Sequence, residues 1–132
     1  MKCLTIVIPM YNIEKYISEC LESFIVQEII GDIEVLIIDD GSKDGSSAIA
    51  AEYERLYPQL FRIIKKQNGG HGSTINRGIE EAAGKYFKVV DGDDWVAKEA
   101  FVKLVKTLKK TDADLILSNY TWVDYKPADT KA

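Results

Sequence analysis

The chain has 132 residues, the length of one domain, with 46% hydrophobic and 29% charged residues, a balance that excludes both a disordered chain and two separate cores. Its 17 Lys and Arg against 21 Asp and Glu give a net charge of −4, so no overall basic field draws it to nucleic acid, and an anionic ligand has to be held locally. No apolar run approaches the roughly 18 residues that span a bilayer, and Pro9 followed by the polar stretch 11–15 argues against a signal peptide.

Residues 4–8 (LTIVI) are the first of five short apolar runs, followed by 35–38, 61–64, 86–90 and 115–117. All are rich in β-branched residues, and several lack polar alternation, as strands buried on both faces do. Between the first two runs, Ile17, Cys20, Leu21, Phe24 and Ile25 recur at helical spacing. Ile49, Tyr53, Leu56 and Tyr57 mark a second helix. Ile75, Ile79, Ala82 and Ala83 mark a third, which stops at Gly84, a residue suited to a left-handed C-cap. Phe101, Leu104, Val105 and Leu108 mark a fourth, with Glu99 in its first turn and Lys109-Lys110 in its last, as the helix dipole favours. On that helix Lys103, Lys106, Lys109 and Lys110 read as a solvated face. Outside it, Trp95 and Trp122 read as core or acceptor-side packing residues. Cys3 and Cys20 stand in no metal-ligand spacing and read as buried, reduced thiols of a cytoplasmic protein. Strands alternating with helices over short connections predict right-handed βαβ crossovers. The expected fold is an α/β three-layer sandwich with a mostly parallel sheet and strand order near 3-2-1-4.

In such sheets ligands bind outside the carboxyl ends of the strands, which directs attention to four loops. Asp91, Asp93 and Asp94 follow the fourth strand, where converging carboxylates repel one another beside a low-dielectric core and a divalent cation relieves the repulsion. Hard oxygen donors suit Mg²⁺ or Mn²⁺, Gly92 lets a phosphate approach, and Asp94 also suits the cap of the next helix. Asp39 and Asp40 end the second strand; one can serve the turn while the other accepts a hydrogen bond from the ring N–H of a base, which uracil and guanine carry and adenine lacks. Gly69-Gly70-His71-Gly72 opens the third helix and offers backbone amides to an anion, although it matches neither the GxGxxG nor the Walker pattern. His71 has no nucleophile nearby in sequence and reads as a loop residue with a local role. Tyr11, beyond Pro9, either stacks on a base or packs over its own loop.

Taken together, VIPMYN (7–12), IIDDGSKDGS (37–46), NGGHGSTINRGIEEAAGKY (68–86) and VVDGDD (89–94) resemble, in order and spacing, the nucleotide-binding half of the family 2 glycosyltransferases, which have the Rossmann-like GT-A fold. The resemblance covers about residues 3–120. It implies an enzyme of cell-envelope polysaccharide synthesis that transfers a sugar, with inversion, from a nucleotide diphosphate donor, UDP-sugar favoured, to a hydroxyl of a glycan or lipid-linked acceptor. Pro9, Tyr11, Asn12, Asp40, Gly69, Gly70, Asp91 and Gly92 are the implied donor-nucleotide set. Asp91 and Asp93 are the implied D-x-D motif, with Asp93 at the position that binds Mn²⁺ or Mg²⁺. The third helix departs from the family pattern: Ile75-Asn76 stands where many members carry Ala-Arg-Asn, and Arg77 follows.

The expected organisation is a donor-binding domain over residues 1–120 and a polar tail over 121–132, leading to an acceptor half outside this chain that supplies the catalytic base. Tyr120, Trp122 and Val123 would form the apolar flank that this half covers, and Asp124 is the first alternative base within the chain. The expected location is cytoplasmic, or membrane-associated as part of a longer enzyme. Two other readings fit the composition. A flavodoxin-like phosphoacceptor domain places its acidic pair after strand one, and a nucleotidyltransferase carries a Gly-rich basic loop there; residues 9–12 provide neither.

Overall fold

A computed structural model of the chain describes residues 2–110. The elements alternate as β1 (Leu4–Met10), α1 (Ile17–Glu22), β2 (Ile33–Asp39), α2 (Ser46–Leu56), β3 (Phe61–Lys65), α3 (His71–Glu81), β4 (Tyr86–Val89) and α4 (Lys98–Lys109). The four strands form one sheet in the order β3-β2-β1-β4, with every pairing parallel. The expected architecture and strand order are both found. The fifth strand at 115–117, the flank at Tyr120, Trp122 and Val123, and Asp124 lie outside the described residues.

The period of two in the strands sorts their side chains onto two faces. Leu4, Ile6, Ile8 and Met10 of β1 join Ile33, Val35 and Ile37 of β2 in the larger core, closed by Ile17, Cys20 and Leu21 of α1, Ala50 of α2 and Phe101, Val105 and Leu108 of α4. Val7, Leu36, Ile38 and Ile64 form a smaller cluster on the opposite face, against which α3 packs. With both faces covered, β1 and β2 read as unbroken apolar runs.

Several expectations need correction. Pro9 and Met10 belong to β1 rather than to the loop after it. Val90 N–H donates to Val7 O (3.0 Å), so alternate residues from Val7 point toward β4, which ends at Val89. The missing N–H of Pro9 therefore costs the sheet no ladder bond. Helix α1 closes at Glu22; Phe24 lies in the turn beyond it and packs edge-on against Phe101 with ring centroids 5.3 Å apart.

The buried face of α3 is Thr74 and Gly78, whereas Ile79, expected inside, is 54% exposed. Helical spacing located the helix but not its inner face, because the buried residues Thr74 and Gly78 carry no large apolar side chain to mark it. A Cβ on Gly78 would stand 2.5 Å from Val7 Cγ1. Gly84 is not the C-cap; that position is Ala82 with extended backbone. Gly84 N–H instead donates to Thr5 Oγ1 (2.8 Å), and a Cβ there would lie 2.7 Å from Thr5 N. Cys20 is buried as expected, but Cys3 is only partly so, and Trp95 is 38% exposed, so of its two expected settings the core is the one excluded. The solvated face of α4 is ion-paired, with Lys106 to Glu28 at 3.4 Å and Lys109 to Asp32 at 3.2 Å.

Candidate functional site

Parallel strands deliver all their carboxyl ends to one edge of the sheet, and there the loops enclose a cleft of about 560 Å³. Its walls include Pro9, Tyr11, Asp40, Gly70, Asp91, Gly92 and Asp93 from the expected set, together with Met10, Ile13, Asn68, His71 and Thr74. Asp40 and Asp93 thus face one space, although 53 positions separate them in sequence (93 − 40).

The two carboxylates after β2 divide their duties. Asp39 Oδ1 accepts Ser42 N–H (2.9 Å) and makes the turn, which frees Asp40 for the cleft. Asp40 is held from both ends: its N–H donates to Met10 O (2.9 Å), and its carbonyl accepts Asn68 Nδ2 (2.9 Å). Its carboxylate Oδ1 accepts Lys66 Nζ and Gly69 N–H, each at 2.9 Å, and Oδ2 accepts Gly70 N–H, also at 2.9 Å. Burial pushes the Asp40 carboxyl up. The Lys66 hydrogen bond, the two glycine amides and the Lys66 charge outweigh that and hold it below the usual carboxylate range.

This arrangement corrects one expectation. The Gly69 and Gly70 amides, read as free for an anion, are taken by Asp40. Gly70 has φ +94°, a left-handed conformation that a side chain would strain and that turns the loop into α3. Gly69 does not line the cleft; a Cβ there would stand 2.9 Å from Ser73 Oγ and 3.0 Å from Lys66 Nζ.

The loop after β1 is clasped to the loop after β2. Asn12, at φ 52°, accepts Lys43 N–H on Oδ1 (2.8 Å) and donates its own N–H to Ser42 Oγ (3.1 Å). Ile13 N–H donates to Ser46 Oγ (2.8 Å) at the start of α2. The Asn12 side chain is therefore turned to the neighbouring loop, and what it fixes is the preceding residue, Tyr11, which stands at the cleft 46% exposed.

After β4 the chain turns tightly, with Asp94 N–H donating to Asp91 O (3.0 Å). Gly92 is pressed onto the β1–α1 loop: the place of its missing Cβ is 2.1 Å from Ile13 Cδ1 and 3.3 Å from Pro9 O. Asp91, Asp93 and Asp94 each present a carboxylate oxygen within 4.8 Å of the others. Among the described residues they are the one trio of this kind, and hard oxygen donors in this number suit Mg²⁺ or Mn²⁺. Asp94 does not cap α4, whose N-cap is Ala97 without a side-chain bond. His71 Nε2 stands 3.9 Å from Asp91 Oδ1, so the β3 and β4 loops meet across the cleft. Beneath them Cys20 Sγ lies 3.8 Å from Asp91 O, and burial, followed by the charges of Asp94, Asp93 and Asp91, pushes this thiol well above its ordinary value.

Sequence reasoning passed over Lys66, Asn68 and Thr74 and set His71 aside. Lys66 follows Lys65 at a strand end, where paired lysines look like edge charges; only the register with β2 reveals its partner. Arg77 is engaged away from the cleft, donating to Glu81 Oε2 (3.1 Å).

The glycosyl transferase family 2 model matches residues 5–131 of the chain. The uncharacterized glycosyltransferase EpsJ of Bacillus subtilis is 36% identical over 113 residues, which are 86% of this chain and 32% of EpsJ. The poly(ribitol-phosphate) beta-glucosyltransferase of Bacillus spizizenii is 37% identical over 116 residues, 86% of this chain and 18% of that protein. Among solved structures, S. aureus TarS in complex with UDP superposes with a TM-score of 0.68 at 28% identity, over 83% of this chain and 32% of that one. A mannosyltransferase from Pyrobaculum calidifontis, in complex with GDP-Man and Mn²⁺, shares the fold at a TM-score of 0.70 and 22% identity, over 78% of this chain and 31% of that one. The chain thus spans less than two fifths of the length of curated relatives such as EpsJ, GlyA, EpsH and GlyG.

Proposed function

The chain belongs to glycosyl transferase family 2, and from that premise we propose that it binds the nucleoside diphosphate of an activated sugar, UDP favoured, in the cleft at the carboxyl ends of its strands. The observation that carries the reading is the meeting of Asp40 and Asp93 in that one cleft. Asp40 offers a fixed, ionised acceptor for a ring N–H, and Tyr11 offers an exposed aromatic face for the base. The opposite wall presents Asp91, Asp93 and Asp94, which fit a divalent cation. The complex of TarS with UDP supports the choice of nucleotide.

In the reaction proposed for the whole enzyme, an acceptor hydroxyl of a glycan or lipid-linked substrate attacks the anomeric carbon from the face opposite the diphosphate. The configuration inverts, and the nucleoside diphosphate leaves. Mn²⁺ or Mg²⁺, when bound, neutralises charge developing on the leaving diphosphate. Asp91 and Asp93 would hold that cation, Asp40 and Tyr11 hold the base, and the tight β4–α4 turn keeps the carboxylates gathered. The donor part is residues 1–120, and the base that takes the acceptor proton is supplied from beyond it.

Calorimetric titration with UDP, with and without Mn²⁺, tests this reading. The wild-type chain should bind UDP more tightly with Mn²⁺, and Asp93→Ala should bind UDP equally with or without it. An Asp93→Ala chain with the full Mn²⁺ enhancement would reject the assignment.

A further inference from the structure

Of the four acceptor positions of the Asp40 carboxylate, the structure fills three: Lys66 Nζ and Gly69 N–H on Oδ1, and Gly70 N–H on Oδ2. The lysine is itself fully engaged. Its three ammonium protons go to Asp40 Oδ1 (2.9 Å), Gln67 O (2.7 Å) and Ser73 Oγ (2.8 Å), and Ser73 Oγ donates in turn to Gly70 O (2.7 Å). The lysine side chain is only 15% exposed, and that of Asp40 6%. The pairing is therefore built in: Asp40 lines the cleft, and Lys66 is packed against it from outside the lining.

We propose that Lys66 determines which base the cleft accepts, by closing Oδ1 of Asp40 so that the carboxylate presents one acceptor position, on Oδ2, to the ligand. The inference rests on the reading that Asp40 receives the base. A carboxylate with both oxygens open matches the paired N1–H and 2-amino donors of guanine. With one position left, it matches the single N3–H of uracil, and the 2-amino group of guanine finds no acceptor on Oδ1. Lys66 touches no ligand in this scheme; it acts through Asp40 and is a positioning residue.

The test compares the affinities of UDP, CDP, GDP and inosine diphosphate for the wild-type chain and for Lys66→Met, by calorimetry in the presence of Mn²⁺. Hypoxanthine keeps N1–H and lacks the 2-amino group, so the ratio of GDP to inosine diphosphate reads whether Oδ1 is open. In the wild type UDP should exceed CDP by on the order of tenfold, the worth of one bond to a charged acceptor, and GDP should bind no better than inosine diphosphate. In Lys66→Met the preference for UDP over CDP should persist, while GDP should gain on inosine diphosphate by on the order of tenfold. A general loosening of the loop would weaken all four ligands without moving that ratio.

Equal treatment of GDP and inosine diphosphate by Lys66→Met, with UDP still preferred over CDP, would overturn the role of Lys66 alone. A wild-type chain indifferent to UDP and CDP would overturn the reading of Asp40 and this inference with it. The wild-type arm needs no folded variant: tenfold tighter binding of GDP than of inosine diphosphate would show Oδ1 open despite Lys66.

Discussion

Lys66 Nζ stands 2.9 Å from Asp40 Oδ1, one step beyond Asp39 and Lys65, the last partners of the β2–β3 ladder. The register of the sheet thus sets the ion pair: when two neighbouring parallel strands end together, their next residues meet side by side at the carboxyl edge of the sheet. Because the Asp40 carboxyl titrates lower in the folded chain than in the unfolded one, the unfolded state binds its proton first as pH falls. The stabilisation from this pair is complete above the ordinary carboxylate value of about 4 and is lost as pH drops through the lower folded value. Urea unfolding followed from pH 7 to pH 2 should show stability falling below about pH 4, and Asp40→Asn should flatten that part of the profile.

Gly78→Ala should destabilise the fold. The added methyl would meet Val7, whose side chain is fully buried and stiff at χ1. In a helix interior alanine is otherwise worth about 1 kcal/mol over glycine, so the substitution is expected to help by propensity and hurt by overpacking. With the Cβ position 2.5 and 2.6 Å from the two Val7 methyl carbons, overpacking of about 1–3 kcal/mol should win. A lower urea midpoint at unchanged slope is the expected result, and Val7→Ala in the same chain should recover part of the loss.

The parallel sheet, its order and the convergence of the loops were legible because unbroken β-branched runs and intervening helical spacing follow from burial on both faces. The acidic residues at the ends of β2 and β4 were legible because charge beside a buried strand stands out. What escaped depends on register and close approach. Lys66 needs the β2–β3 pairing to acquire its meaning, and Gly78 needs the distance to Val7. The amides of Gly69 and Gly70 looked free because nothing local reveals that Asp40, 29 and 30 positions away, accepts them.

Asp40→Asn should weaken UDP by roughly 1.5–3 kcal/mol, the worth of a hydrogen bond to a charged group. An amide keeps one oxygen, and its NH₂ would face either the Gly70 N–H or the Lys66 ammonium, both donors. The loss should therefore appear as a UDP affinity at least tenfold lower by calorimetry, with thermal melting checking that the variant folds. An affinity equal to wild type would remove Asp40 from the nucleotide site.

Tyr11 gives the most direct test of the proposed base end of the cleft. An aromatic ring 46% exposed forgoes part of the burial that usually favours it, and here the following residue, Asn12, is locked by its bonds to Ser42 and Lys43. The ring is held at the cleft by the backbone rather than by packing, which suits a face that awaits a flat partner. Stacking of a base on an aromatic side chain is worth about 1–3 kcal/mol by truncation to alanine. Tyr11→Ala should weaken UDP by that amount, while Tyr11→Phe should bind nearly as wild type, since the face and not the hydroxyl makes the contact. Ribose 5-phosphate, which has no base, should bind Tyr11→Ala and wild type alike. A Tyr11→Phe chain as impaired as Tyr11→Ala would place the phenol oxygen, rather than the ring, in contact with the nucleotide.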